Sequence, residues 1–138
     1  MSQIDFYILP DTNHLPFVCR LIEKAYKNRH SIFIHANNQA EANHLDELLW
    51  TYRDDSFLPH NLYGEGPDPA PPIQIGYQQI PEKHRDILIN LNNTVPTFYK
   101  QFSRVLELVA NQPEQQHIAR ERYRFYQAEK CKITSHKL

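Results

Sequence analysis

The sequence predicts a single α/β domain over residues 1–138, a mostly parallel sheet flanked by helices. Three observations predict it. Short apolar runs alternate with stretches of helical period through the first 50 residues, the sequence form of a parallel sheet with crossover helices. The second apolar run does not alternate with polar residues, as expected of a strand covered on both faces. A chain of 138 residues suits one domain and is long enough to bury a core without staples.

The elements follow in order. Residues 4–9 are a strand ending at Pro10-Asp11. Leu15, Val18, Leu21, Ile22, Ala25 and Tyr26 recur at spacings of three and four, one apolar helix face. Thr12 or Asn13 is placed to cap it, and Lys27, Asn28 and Arg29 suit its C-terminal end. Residues 31–36 form the second strand, and Asn37 or Asn38 opens a helix through Trp50 with Ala42, Leu45, Leu48 and Leu49 inward. From Thr51 to Pro72 the period breaks in a Pro- and Gly-rich loop, long enough to suggest function or a partner. Strands are read at 73–75, 86–91 and 105–109, with a short helix at 96–102. Asn111 and Glu114 have capping-box spacing, with Pro113 in the first turn, and open a last helix to Lys130.

Composition narrows the class. The hydrophobic fraction is 41% and the aromatic fraction 12%, a globular rather than disordered balance. Cys19 and Cys131 lie far apart, which argues against a disulfide framework and a cysteine zinc site. Reduced thiols, a polar N-terminus and no long apolar run predict a soluble, cytoplasmic protein. Net charge is −1 overall, but residues 1–99 carry −5 and residues 100–138 carry +4. A basic C-terminal quarter on an acidic body suggests a local site for an acidic partner. Direct nucleic-acid binding is the weaker reading on the overall charge.

Catalytic motifs are scarce. A nucleotide site on such a fold needs glycines where the backbone meets phosphate. The three glycines are Gly64, Gly66 and Gly76, and Pro10-Asp11-Thr12-Asn13 follows the first strand instead. Gly64-Glu65-Gly66-Pro67 has a proline where an amide donor is needed, and no Lys-Ser/Thr follows. Eight histidines show no HExxH-type spacing. No serine stands in a GxSxG setting. The carboxylate pairs Asp46-Glu47 and Asp54-Asp55 are adjacent residues that point in different directions on a helix. No cofactor or metal is expected. The alternative is a small α/β nucleotide-binding or hydrolase-like enzyme.

Two clusters call for explanation. Trp50, Phe57, Leu58 and Leu62 place large apolar groups at the start of the long loop. They serve the core or anchor another protein. Arg120, Tyr123 and Arg124 combine bidentate donors with a ring wall. That set suits an acidic peptide with a free terminal carboxylate.

These residues also carry a family resemblance. Phe6-Tyr7-Ile8-Leu9, 45–50 (LDELLW), 56–62 (SFLPHNL), 64–67 (GEGP), 85–89 (RDILI) and 119–123 (ARERY) resemble, in order and spacing, the chi subunit of bacterial DNA polymerase III. The resemblance spans nearly the whole chain. It implies a Rossmann-like domain without a nucleotide site and an accessory role without catalysis of its own. It implies a heterodimer with the psi subunit of the clamp loader, and binding of the acidic C-terminal tail of single-stranded DNA-binding protein. By the resemblance, Arg120 holds that tail, helped by Tyr123 and Arg124. Gln116 stands where the family carries a lysine in the first turn of that helix. Phe57 falls on the psi-facing surface with Leu58, Pro59 and Leu62 as neighbours, a surface a helicase partner is also thought to use.

Overall fold

The computed structural model describes residues 2–52, 57–66, 69–82 and 86–138. Asp54, Asp55, Ser56, Pro67 and Arg85, which entered the sequence reading, lie outside them. The elements run β1 (Gln3–Ile8), α1 (Leu15–Lys27), β2 (Ile32–His35), α2 (Gln39–Thr51), β3 (His60–Leu62), β4 (Ile73–Gly76), β5 (Ile87–Asn90), a 3-10 turn (Tyr99–Gln101), β6 (Arg104–Val109), α3 (Pro113–Ala128) and β7 (Lys132–Lys137). The seven strands form one sheet in the order β3-β4-β2-β5-β6-β1-β7, with every neighbouring pair parallel. The predicted α/β domain with its parallel sheet and flanking helices is therefore the observed architecture.

Strand alternation builds two cores, one on each face of the sheet. Ile32, Ile34, Ile73, Ile75, Ile87, Ile89, Leu106 and Leu108 point to one face. There they meet Val18, Cys19, Ile22 and Ala25 of α1 and Ala42, Leu45 and Leu49 of α2. Ile4, Phe6, Phe33, Leu88, Val105 and Val109 point to the other face, against Phe98, Tyr99 and Phe102 around the 3-10 turn and Ala119 and Tyr126 of α3. Cys19 is a buried free thiol whose pKa burial pushes up to about 11, consistent with an inert core residue. Among the described residues, no helix is long and apolar enough to cross a membrane.

Side-chain capping is seen at one of the three α-helix N-termini among the described residues. Asn38 caps α2 by accepting the Glu41 amide at 2.8 Å. Neither Thr12 nor Asn13 is the N-cap of α1: His14 takes that position without a side-chain bond, and Asn13 accepts the Leu15 amide at 3.2 Å. The capping box expected at Asn111 does not form. Gln112 is the N-cap of α3, without a side-chain bond, and Asn111 instead donates through Nδ2 to the Pro10 carbonyl at 2.9 Å. Two strands escaped the sequence reading. β3 is three residues long inside the Pro-rich stretch, and β7 is largely polar. Both are edge strands, which need little apolar character to hold their place.

A buried polar cluster ties α3 to the sheet. Glu107 of β6 is 0% exposed on the α3 side, and Arg122 is 4% exposed. The Arg122 Nε donates to Glu107 Oε1 at 2.9 Å, and the Tyr126 hydroxyl donates to Oε2 at 2.6 Å. Asn90 Nδ2 donates to both oxygens, at 3.2 and 2.9 Å. Arg122 also donates to the Asn93 carbonyl at 3.2 Å and approaches the Leu108 carbonyl at 3.5 Å. Burial pushes the Glu107 carboxyl up, while Arg122, Tyr126 and Asn90 hold the charged form. On the opposite face, Asp5 of β1 accepts from Arg104 Nε at 2.7 Å and bonds His136 Nε2 of β7 at 2.9 Å. The His136 ring stacks on Tyr7 at 4.7 Å. Burial raises the Asp5 pKa, but the bonds from Arg104 and His136 outweigh it and hold the carboxyl below its ordinary range.

Two expectations follow. Arg122→Ala strands a buried carboxylate and should cost about 3–5 kcal/mol of stability in urea unfolding; a loss under about 1 kcal/mol would mean the pair is not sealed in solution. The Asp5 contribution, from a depressed carboxyl, is present above the unfolded value of about 3.9 and fades as pH falls through the lower folded value. The urea midpoints of wild type and Asp5→Asn should therefore converge as acid is added from neutral pH; a constant gap would refute the assignment.

Candidate functional site

Helix geometry decides which residues of α3 face outward together. Ala119, Arg122 and Tyr126 form its buried stripe. Next to it, Phe125 is exposed while Tyr126 turns inside. Gln116, Ala119, Arg120 and Tyr123 recur at spacings of three and four, so they share an adjoining stripe. That stripe overlooks β1 and β7. The β1–β7 register sets Phe6 beside Ser135 and Ile8 beside Lys137. Since Phe6 and Ile8 point to the α3 face, Ser135 and Lys137 do so too.

The result is a groove of about 380 Å³ with an apolar floor and polar walls. Phe6, Ile8, Val109 and Ala119 make the floor; Gln116, Arg120 and Tyr123 form one wall, and Ser135 and Lys137 the other. The Tyr123 ring leans on Phe6 at 5.6 Å between centroids, which fixes the wall's position. Arg120 is exposed and forms no ion pair or hydrogen bond among the described residues. Of the four residues expected for an acidic tail, Gln116, Arg120 and Tyr123 meet in this groove. Arg124 does not line it; its Nη1 donates to Glu121 at 2.9 Å on the exposed side of the helix. The sequence reading missed Lys137, Ser135 and the β1 floor, because β7 carries only one strongly apolar residue and gave no strand signal.

The second cluster sits at the opposite edge of the sheet. Trp50 belongs to the last turn of α2, the helix in which the sequence placed it. Its ring lies 5.8 Å from Phe57 and 4.5 Å from His60. Phe57 is 66% exposed, and Trp50 is also exposed, so the pair forms an apolar surface patch. Leu58 is a correction to the expected surface set. It is 2% exposed and packs in the core beneath α1 and α2, so it cannot present its side chain to a partner. Pro59 and Leu62 are half-buried, Leu62 packing against the same core. Buried His60 braces the patch from below, its Nε2 lying 3.0 Å from the Asp46 carbonyl and 3.2 Å from its carboxylate.

A polar pocket of about 260 Å³ opens at the C-terminal ends of the central strands, lined by Thr12, His14, Asn37, Glu41, Gln112 and Gln115 among others. Ligands of doubly wound folds usually bind at such a place. Here the Glu41 carboxylate faces His14 at 3.8 Å and no lysine or arginine lines the walls. Burial lowers the His14 pKa, against the pull of Glu41. This lining does not suit a phosphate. Among the described residues, no three His, Cys, Asp or Glu gather to hold a metal.

Comparison with known proteins fits this architecture. The family model described as DNA polymerase III chi subunit, HolC, matches residues 1–134. The chain is 37% identical to DNA polymerase III subunit chi of Pseudomonas aeruginosa, covering 100% of this chain and 98% of that protein. It is 31% identical to the Escherichia coli K12 subunit chi, over 91% of each chain. It is 32% identical to that of Haemophilus influenzae, over 86% of this chain and 85% of the relative. With the family pattern running along residues 1–134 and these relatives matched over most of their length, the chain belongs to the DNA polymerase III chi subunit family, a replication accessory subunit.

Proposed function

We propose that this chain is a non-catalytic adaptor that links the clamp-loader complex, through the psi subunit, to the acidic C-terminal tail of single-stranded DNA-binding protein. The observation that carries the tail site is an exposed guanidinium, Arg120, over an apolar floor of Phe6, Ile8 and Val109. A peptide that ends in an aromatic residue with a free carboxylate has both features such a groove accommodates: a ring for the floor and an anion for the arginine. Basic charge concentrated in residues 100–138 would speed the encounter with an acidic tail.

The psi contact is assigned to Phe57 and Trp50, with Pro59 and Leu62 beside them. Exposed aromatic pairs are strong interface anchors, and a helicase partner could use the same surface. Sheet order supports an adaptor. β3 and β7 are the two edges of a seven-stranded sheet, and six strand spacings separate them by roughly 29 Å. Two partners on those edges would not compete for the same surface.

Arg120→Ala should weaken binding of an acidic, C-terminally aromatic tail peptide by about 2 kcal/mol or more, measured by calorimetry with the free acid and the C-terminal amide. Unchanged affinity would refute the site. Phe57→Ala should abolish co-purification with psi and leave tail-peptide affinity intact. An undisturbed heterodimer would rule out that surface.

A further inference from the structure

We propose that Lys137 of β7 is the second cationic contact of the groove, so that an acidic peptide is held from two elements at once, α3 through Arg120 and β7 through Lys137. This rests on the tail reading above and adds to it a residue and a ligand feature. One guanidinium pairs one carboxylate well, through two parallel bonds. A tail that carries acidic side chains ahead of its terminal carboxylate presents a second anion, which needs a second cation.

The other candidates on α3 do not supply it. Gln116 lines the groove but is neutral, and Arg124 is held by Glu121 outside it. Arg122 points inward to Glu107. Among the residues that line the groove, the cations are Arg120 and Lys137. Lys137 is exposed, and its ammonium forms no ion pair or hydrogen bond among the described residues.

The strand under Lys137 is well placed to hold it. β7 pairs with β1 through Ile8↔Lys137, and the Leu138 amide donates to the Ile8 carbonyl at 3.0 Å. One residue earlier, His136 points to the opposite face and bonds Asp5 at 2.9 Å. Strand alternation then commits Lys137 to the groove side. The lysine offers a mobile point charge rather than a fork, which suits side-chain carboxylates of variable position.

The test is anisotropy of a fluorescent peptide with several aspartates and a C-terminal phenylalanine, titrated with wild type, Lys137→Gln, Lys137→Arg and Arg120→Ala at low and high salt. Lys137→Gln should weaken binding about threefold at low salt, as an exposed ion pair would, and should flatten the salt dependence. Lys137→Arg should bind as wild type. A peptide with asparagines in place of the aspartates should be indifferent to Lys137→Gln. If Arg120→Ala loses binding while Lys137→Gln changes neither affinity nor salt slope, Lys137 is no contact and the groove assignment stands. If Arg120→Ala also binds normally, or wild type does not bind, both readings fall. Should Lys137→Gln be unstable, Lys137→Arg compared on the two peptides still decides: equal affinity for both would overturn the proposal.

Discussion

The ion pair between Glu107 and Arg122 is the constraint on which the rest of the site depends. A carboxylate with no exposed surface on a central strand must be neutralised or paired. Here it is paired with an arginine that comes from the helix packed above it, and a tyrosine and an asparagine satisfy the remaining capacity. Such a pair adds little net stability over an apolar replacement, but it is unforgiving of rotation. Turning α3 by one residue would bury a different side chain against Glu107. The pair therefore sets which stripe of α3 faces the solvent beside β1 and β7.

That orientation has a chemical consequence two residues away. Arg120 and Arg122 are near neighbours in sequence and opposite in fate. Arg122 is consumed by the core, and Arg120 stands at the rim of an apolar groove. The β7 strand completes the groove from the other side, held to β1 by its backbone ladder and by the His136–Asp5 bond. Asp5 and Glu107 thus do parallel jobs on opposite faces. Each is a buried carboxylate that fastens an element bearing one wall of the groove.

The far edge of the sheet repeats the contrast between neighbours. Phe57 and Leu58 are adjacent, yet one lies on the surface and the other in the core. Leu58 anchors the segment, which leaves Phe57 free to stand beside Trp50. The parallel order β3-β4-β2-β5-β6-β1-β7 then separates this patch from the groove by the full width of the sheet.

Periodicity in the sequence determined the α/β class, the two N-terminal helices, five of the seven described strands closely and the long C-terminal helix. Those elements bury many apolar side chains, and burial writes a continuous apolar run or a period near four into the chain. The same reading picked out Arg120, Tyr123 and Phe57 by residue type, as large donors and rings clustered along the chain. Tertiary structure alone decided the rest. Edge strands β3 and β7 bury too little to leave a pattern, so Lys137 could not be joined to Arg120 from the sequence. A buried arginine and an exposed one look alike until a partner carboxylate is placed, and Glu107 meets Arg122 only through folding. The inward turn of Leu58 was hidden for the same reason: one leucine in an aperiodic stretch carries no record of the face it will take.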